Sequence, residues 1–158
     1  MADPQFGMFS SISKLSKSEV IARKNRGINV TYSEKELEGF EKETELFTKA
    51  IEAANESSPA FVVVCGDMVH DPESTEQLEE LLRVSNLLRE DIKLYWVPGN
   101  HDVGDKPTTA SLEKYKDRFG EYNYSFREEN CYYIVLNSAI CYDPELVPDE
   151  WDTLISFL

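Results

Sequence analysis

Leu94-Tyr95-Trp96-Val97-Pro98-Gly99-Asn100-His101-Asp102 is the stretch whose reading decides the fold. Its first four residues are apolar, too few for a helix, and read as a buried strand. Pro98-Gly99 closes that strand, so Asn100, His101 and Asp102 stand at its carboxyl end. A second run, Phe61-Val62-Val63-Val64-Cys65, has the same character and ends in Gly66-Asp67. Between them, Ser74 and Gln77 form a capping-box pattern. Leu78, Leu81, Leu82 and Leu88 then carry the apolar stripe of a helix over about residues 75–90. Strands alternating with helices predict an α/β fold with a largely parallel sheet. Ligands of such sheets gather beyond the carboxyl ends of the strands. Gly66-Asp67 and Gly99–Asp102 both fall there, which is the physical reason to treat them as one site.

The flanking sequence extends the pattern. Ser33 and Glu36 make a second capping box. The helix expected after it has Leu37, Phe40, Phe47, Ile51 and Ala54 on one face, and Pro59 lies just beyond its end. Residues 8–32 are polar and weakly periodic and read as a long loop, partly helical at most. Pro107-Thr108 opens a helix with Leu112, Tyr115 and Phe119 inward. Tyr122–Phe126 suits an edge strand and Cys131–Leu136 a further strand. Pro148-Asp149-Glu150 starts a last helix, with Trp151, Leu154 and Leu158 as its apolar face. Cys65 reads as a small core hydrophobe.

The chain has 158 residues, enough for one domain with a real core, and a net charge of −14. The charge is uneven. Residues 1–32 hold Lys14, Lys17, Arg23, Lys24 and Arg26 against Asp3 and Glu19, which leaves the acidity to the remainder. So acidic a body argues against nonspecific nucleic-acid binding, which needs phosphate-neutralising cations. No apolar run approaches the ~18 residues of a membrane span. The N-terminus has no apolar signal region. Three cysteines, an odd number, fit free thiols in a reducing compartment, and hence a cytoplasmic protein, better than a disulfide framework.

Each motif alone has an ordinary explanation. Gly-Asp after a strand is common turn chemistry, and Asp3-Pro4-Gln5 alone would be a terminal segment. In order, and at two strand ends, they suit phosphoester hydrolysis. That reaction needs nucleophilic water and neutralised phosphoryl charge, and two cations ~3.5–4 Å apart supply both. Asp67 is placed to bridge them, since a carboxylate has two oxygens and Gly66 permits a sharp turn. Asn100 offers an amide oxygen to one metal and Asp3 a carboxylate to the other. His101 is suited to protonating the leaving oxygen or hydrogen-bonding the phosphate. Asp102 is expected to fix its tautomer and favour the imidazolium. His70 is read as a loop histidine near the site, without a metal role.

These residues resemble the calcineurin-like metallophosphoesterase superfamily, whose motifs run D-x-H, GD, GNHD, then H and GHxH. Ala2-Asp3-Pro4-Gln5-Phe6-Gly7, Cys65-Gly66-Asp67, Gly99–Asp102 and Leu136-Asn137-Ser138 narrow the resemblance to its serine/threonine phosphatase subgroup. The resemblance implies an α/β/β/α sandwich and a pair of manganese, zinc or iron ions. It implies that Asp3, Asp67 and Asn100 bind metal and that His101 meets the leaving group, Asn100 and His101 together binding substrate. It implies an enzyme that hydrolyses phosphomonoesters, with phosphoserine or phosphothreonine in proteins as the substrate class.

Three departures from the pattern qualify the expectation. Gln5 stands where D-x-H has its histidine, and an amide oxygen is a weaker ligand than imidazole for zinc or iron. Only Met1 and Ala2 precede Asp3, so that ligand is expected to lie on a frayed end. No H or GHxH motif occurs, and His70 and His101 are the chain's two histidines. The chain is therefore expected to be a truncated, partial domain, with an uncovered sheet face open to a partner or to self-association. The alternative to an enzyme is a catalytically incompetent form that serves at most as a binding module.

Overall fold

The computed structural model describes residues 1–158. Two parallel strands form its centre, β1 (Phe61–Cys65) and β2 (Lys93–Val97), paired from Phe61↔Lys93 to Cys65↔Val97. Helix α3 (Glu41–Ser57) precedes β1, and helix α4 (Thr75–Ser85) makes the crossover to β2. Phe47, Ile51, Leu81 and Val84 from these helices are buried with Val64 of β1 in the main core. Ala54, Val62 and Ile92 form a smaller cluster at the amino end of the strands. Fully burying one such aliphatic or aromatic side chain is worth about 1.5–3 kcal/mol, so this layer fixes where the strand ends point.

The N-terminal segment is not frayed. It runs parallel to β1 and its extension, with Cys65 N–H donating to Met1 O at 2.9 Å, Gln5 N–H to Asp67 O at 2.9 Å, and His70 N–H to Phe6 O at 2.9 Å. Phe6 is fully buried against Phe40 and Phe47. Glu43, buried in the first turn of α3, accepts from Gly7 N at 3.1 Å and Phe9 N at 2.8 Å. A segment that looks terminal in sequence is thus held by ladder bonds, a buried ring and a carboxylate from 36 residues away.

Within the partly helical loop expected over 8–32 lie two short helices, α1 (Met8–Ser13) and α2 (Lys17–Asn25). The Ser16/Glu19 capping box that starts α2 was present in the sequence. The Ser33/Glu36 box does not open a helix: the Ser33 hydroxyl bonds Lys35 O within a local turn, and Gly39 takes φ +65° before α3 starts at Glu41. At Ser74 the cap forms, but the Gln77 side chain turns away and accepts from His70 N and Asp71 N.

After β2 come α5 (Asn100–Val103) and α6 (Thr109–Phe119), the latter capped by Thr108 with Leu112 and Tyr115 buried. Strands β3 (Tyr124–Glu128) and β4 (Cys131–Val135) form an antiparallel hairpin, so the sheet content is mixed rather than all parallel. The hairpin meets the central strands through rings rather than ladder bonds: Phe126 stacks on Tyr95 at 3.7 Å, and Phe61 packs edge-on against Phe126 and Tyr133. Helix α7 (Pro148–Phe157) buries Leu154, whereas Leu158 is exposed. Cys65 is exposed too, because β1 turns Val62 and Val64 inward and the next residue faces the other way. Tyr132 and Ile134 on β4 are exposed. No helix is long and apolar enough to cross a membrane.

Candidate metal centre and substrate edge

The carboxyl ends of β1 and β2 meet through two glycines. Gly66 and Asp67 both adopt left-handed backbone, with φ +68° and +50°. That turns the chain off the strand and delivers the Asp67 carboxylate toward the neighbouring loop. Gly99 sits against it: a Cβ there would lie 2.3 Å from Asp67 Oδ1, 2.4 Å from Asp67 N and 2.9 Å from Gly66 Cα. Only a residue without a side chain permits this approach. Asp67 Oδ1 accepts from His101 N at 3.0 Å, so the two motifs share one edge, as their spacing predicts.

Asp102 has a different role from the one its sequence position suggests. Its Oδ1 accepts from Met68 N at 2.8 Å and its Oδ2 from Gly99 N at 2.8 Å. The carboxylate clamps the two strand-end loops together. Burial pushes its pKa up, the two N–H donors pull it down, and the charge on Asp67 raises it further; the net direction is upward. The partner of the His101 ring is instead a carbonyl: Nδ1 lies 3.3 Å from His70 O. With Nδ1–H donating to that oxygen, Nε2 is left to face a ligand. The His70 ring stacks on His101 with centroids 5.6 Å apart, and its own buried Nδ1 has no partner. Burial, then the neighbouring His101, holds the His70 pKa below the usual imidazole range. His70 thus lies beside the site, as its loop position in the sequence suggests, and its contribution there is its ring against His101 and its backbone carbonyl.

Asn100 is exposed, and its Nδ2 donates to Asp105 Oδ1 at 2.9 Å, which leaves the amide oxygen free. Gln5 is buried with φ +37°, and its backbone N–H bonds Asp67 O, so the N-terminal segment does reach the site. Asp3 is exposed and lines a separate cavity of about 340 Å³ with Glu43 and Phe47, not the one at Asn100. No three His, Cys, Asp or Glu side chains converge on a point suited to a cation. Asp67 and Asn100 present a carboxylate and an amide oxygen at this edge; the residues of this chain do not compose the closed two-metal cage that the motifs imply.

A cavity of about 720 Å³ opens beside Asn100. Asp105, Lys106, Asn137, Ser138 and Tyr142 share its wall. Asn137 and Ser138 were visible in the sequence as a motif after a strand, whereas nothing there signalled Lys106 or Tyr142.

A model of the calcineurin-like phosphoesterase family matches residues 26–150. The chain belongs to the calcineurin-like phosphoesterase family. Asp67, Asn100, His101 and Asp102 lie within the matched segment, and Asp3 and Gln5 outside it. The chain is similar to serine/threonine-protein phosphatase CPPED1 of Bos taurus, with 37% identity over 124 residues, 71% of this chain and 40% of that protein. For the Homo sapiens protein of that name the identity is 35% over 124 residues, with the same coverage. For the Danio rerio protein it is 31% over 116 residues, 70% of this chain and 38% of that protein. The chain thus spans about two fifths of the length of these curated relatives.

Proposed function

We propose that this calcineurin-like phosphoesterase chain, read as one unit over residues 1–158, contributes the Asp67–Asn100–His101 edge of a metal-dependent phosphomonoesterase. Phosphoserine and phosphothreonine are the substrate class, in line with the relatives' name. The observation that carries this reading is the Gly66–Gly99 contact, which holds the Asp67 carboxylate against the backbone of Asn100 and His101. Asp67 and Asn100 would hold divalent or trivalent cations, whose Lewis acidity neutralises phosphoryl charge and makes water nucleophilic at neutral pH. The chain's own residues then do the rest. Asp102 fixes the spacing of the two loops. The His70 carbonyl sets the ring of His101, so that Nε2 can give a proton to the departing alkoxide.

The test is Mn²⁺-dependent hydrolysis of p-nitrophenyl phosphate and phosphoserine by the wild-type chain and by Asp67→Asn and His101→Ala. Asp67→Asn is expected to abolish metal-dependent turnover. His101→Ala should slow phosphoserine by about 10²-fold or more, the scale of general-acid catalysis. It should slow p-nitrophenyl phosphate far less, because nitrophenolate leaves without a proton. Full turnover by Asp67→Asn would sink the reading. The absence of three converging metal-ligating side chains favours a second reading, a phosphate-binding module without turnover. Metal analysis after dialysis separates the two: retained metal with turnover supports the enzyme, and neither supports the module.

A further inference from the structure

The cavity beside Asn100 has a wall that the metal motifs do not explain. Lys106 is the one cationic side chain lining it. Its ammonium lies 3.4 Å from Asp143 and 5.8 Å from the centre of the Tyr142 ring. The lysine side chain is 60% exposed, so the pair with Asp143 is solvent-screened and held weakly. Asn137, at the end of β4, is 1% exposed. Its Oδ1 accepts from Ala139 N at 3.2 Å, but its Nδ2 meets no acceptor. A buried donor left unpaired costs about 1–3 kcal/mol, and native proteins leave few of them. Ser138 adds an exposed hydroxyl next to it. A cation and a hydroxyl border this cavity together with Asn137, whose unmet amide N–H is itself closed to solvent, and the Asp105 carboxylate on the same wall is engaged by Asn100 Nδ2. The cation, the hydroxyl and the amide, once opened to the cavity, form a donor set that matches oxyanions.

The geometry points to a phosphoryl-oxygen subsite in which Lys106, Asn137 and Ser138 bind the anionic oxygens of a phosphomonoester, with Tyr142 flanking its alcohol portion. The inference rests on the reading of this edge as a phosphoester site and adds to it the residues that recognise the anion. In a chain of net charge −14 a phosphate needs a local cation to approach at all. Lys106 supplies it by exchanging Asp143 for the ligand.

The experiment is a titration of the metal-free 158-residue chain with inorganic phosphate, at fixed ionic strength, followed by the side-chain amide resonances of Asn137. Saturable shifts are expected, and a phosphoserine peptide should compete for them. Lys106→Gln should weaken phosphate binding by about fivefold, the value of one charge at contact in water. Asp143→Asn frees the lysine and should tighten binding by about twofold. Opposite signs are the signature of an anion receptor. If the Lys106–Asp143 pair merely held the loop, both variants would weaken binding together, and that result overturns the proposal, as does an unshifted Asn137. Since the readout needs neither metal nor turnover, its failure is separable from a failure of the metal-edge reading, which the Asp67→Asn turnover assay judges.

Discussion

Replacing Gly99 by alanine probes the contact that joins the two halves of the site. The added Cβ would lie 2.3 Å from Asp67 Oδ1 and 2.4 Å from Asp67 N, where ordinary contact begins near 3.4 Å. Gly99 has φ −108°, so alanine carries no backbone strain of its own and the cost is steric. Asp67 N, and Gly66 Cα at 2.9 Å, are main chain, so the loops must separate by about 1 Å, a shift that takes a 3.0 Å hydrogen bond out of bonding range. His101 N to Asp67 Oδ1, now 3.0 Å, would break, and Met68 N to Asp102 Oδ1, now 2.8 Å, would stretch. Overpacking costs about 1–3 kcal/mol, and a hydrogen bond to a charged acceptor is worth about 1.5–3 kcal/mol. The sum, with partial relaxation, is about 3–5 kcal/mol, a large fraction of a domain's stability. Urea unfolding followed by circular dichroism measures it. Gly120→Ala is the comparison: its Cβ meets nothing within 4 Å, and the penalty is its backbone alone, φ +87° and ψ −160°, a region essentially reserved for glycine that costs about 1–3 kcal/mol. If Gly99→Ala proves no more costly than Gly120→Ala, the idea that a glycine contact holds Asp67 against His101 is refuted.

Three further perturbations test the scaffold. Glu80 accepts from Arg83 and from Thr44 Oγ1 at 2.7 Å; Arg83 chiefly holds its pKa below the carboxylate range, burial opposes this and Thr44 adds to it. A depressed folded pKa stabilises above the unfolded value and is lost as pH falls through the folded one. Glu80→Gln should therefore cost about 0.5 kcal/mol at pH 7, discounted for the exposed arginine, and progressively less as pH falls through the depressed folded pKa; a deficit constant with pH would contradict this. Glu43→Ala should cost about 2–4 kcal/mol by orphaning Gly7 N and Phe9 N and should speed hydrogen exchange at both amides, whereas Glu43→Gln, which keeps an acceptor, should cost less. Phe126→Ala removes the ring that joins the β3–β4 hairpin to Tyr95 and Phe61. It should cost about 2 kcal/mol and accelerate exchange in β3 and β4 before β1 and β2; uniform acceleration would show that the hairpin is not a separate unit.

The sequence alone determined the strand–helix–strand centre, because unbroken apolar runs and leucines at helical spacing report burial directly. It also placed Gly66-Asp67 and Gly99–Asp102 at one edge, because parallel strands bring their carboxyl ends together. Tertiary structure decided what those residues do there. Asp102 looks in sequence like a partner for the adjacent histidine, yet its oxygens are taken by Met68 N and Gly99 N, and the His70 carbonyl, 31 residues away, orients His101. Asp3 looks like a ligand, yet it lines a different cavity from Asn100. The N-cap was legible at Ser74, the Ser16/Glu19 box that opens α2 went unread within an apparent loop, and the Ser33/Glu36 pattern misled, because a local turn bonds the Ser33 hydroxyl first. The physical reason is common to these cases. Periodicity encodes which face of an element is buried, a property of near neighbours in the chain. Hydrogen-bond partners across loops are set by side chains and carbonyls that distant segments bring into reach, and no local pattern records them.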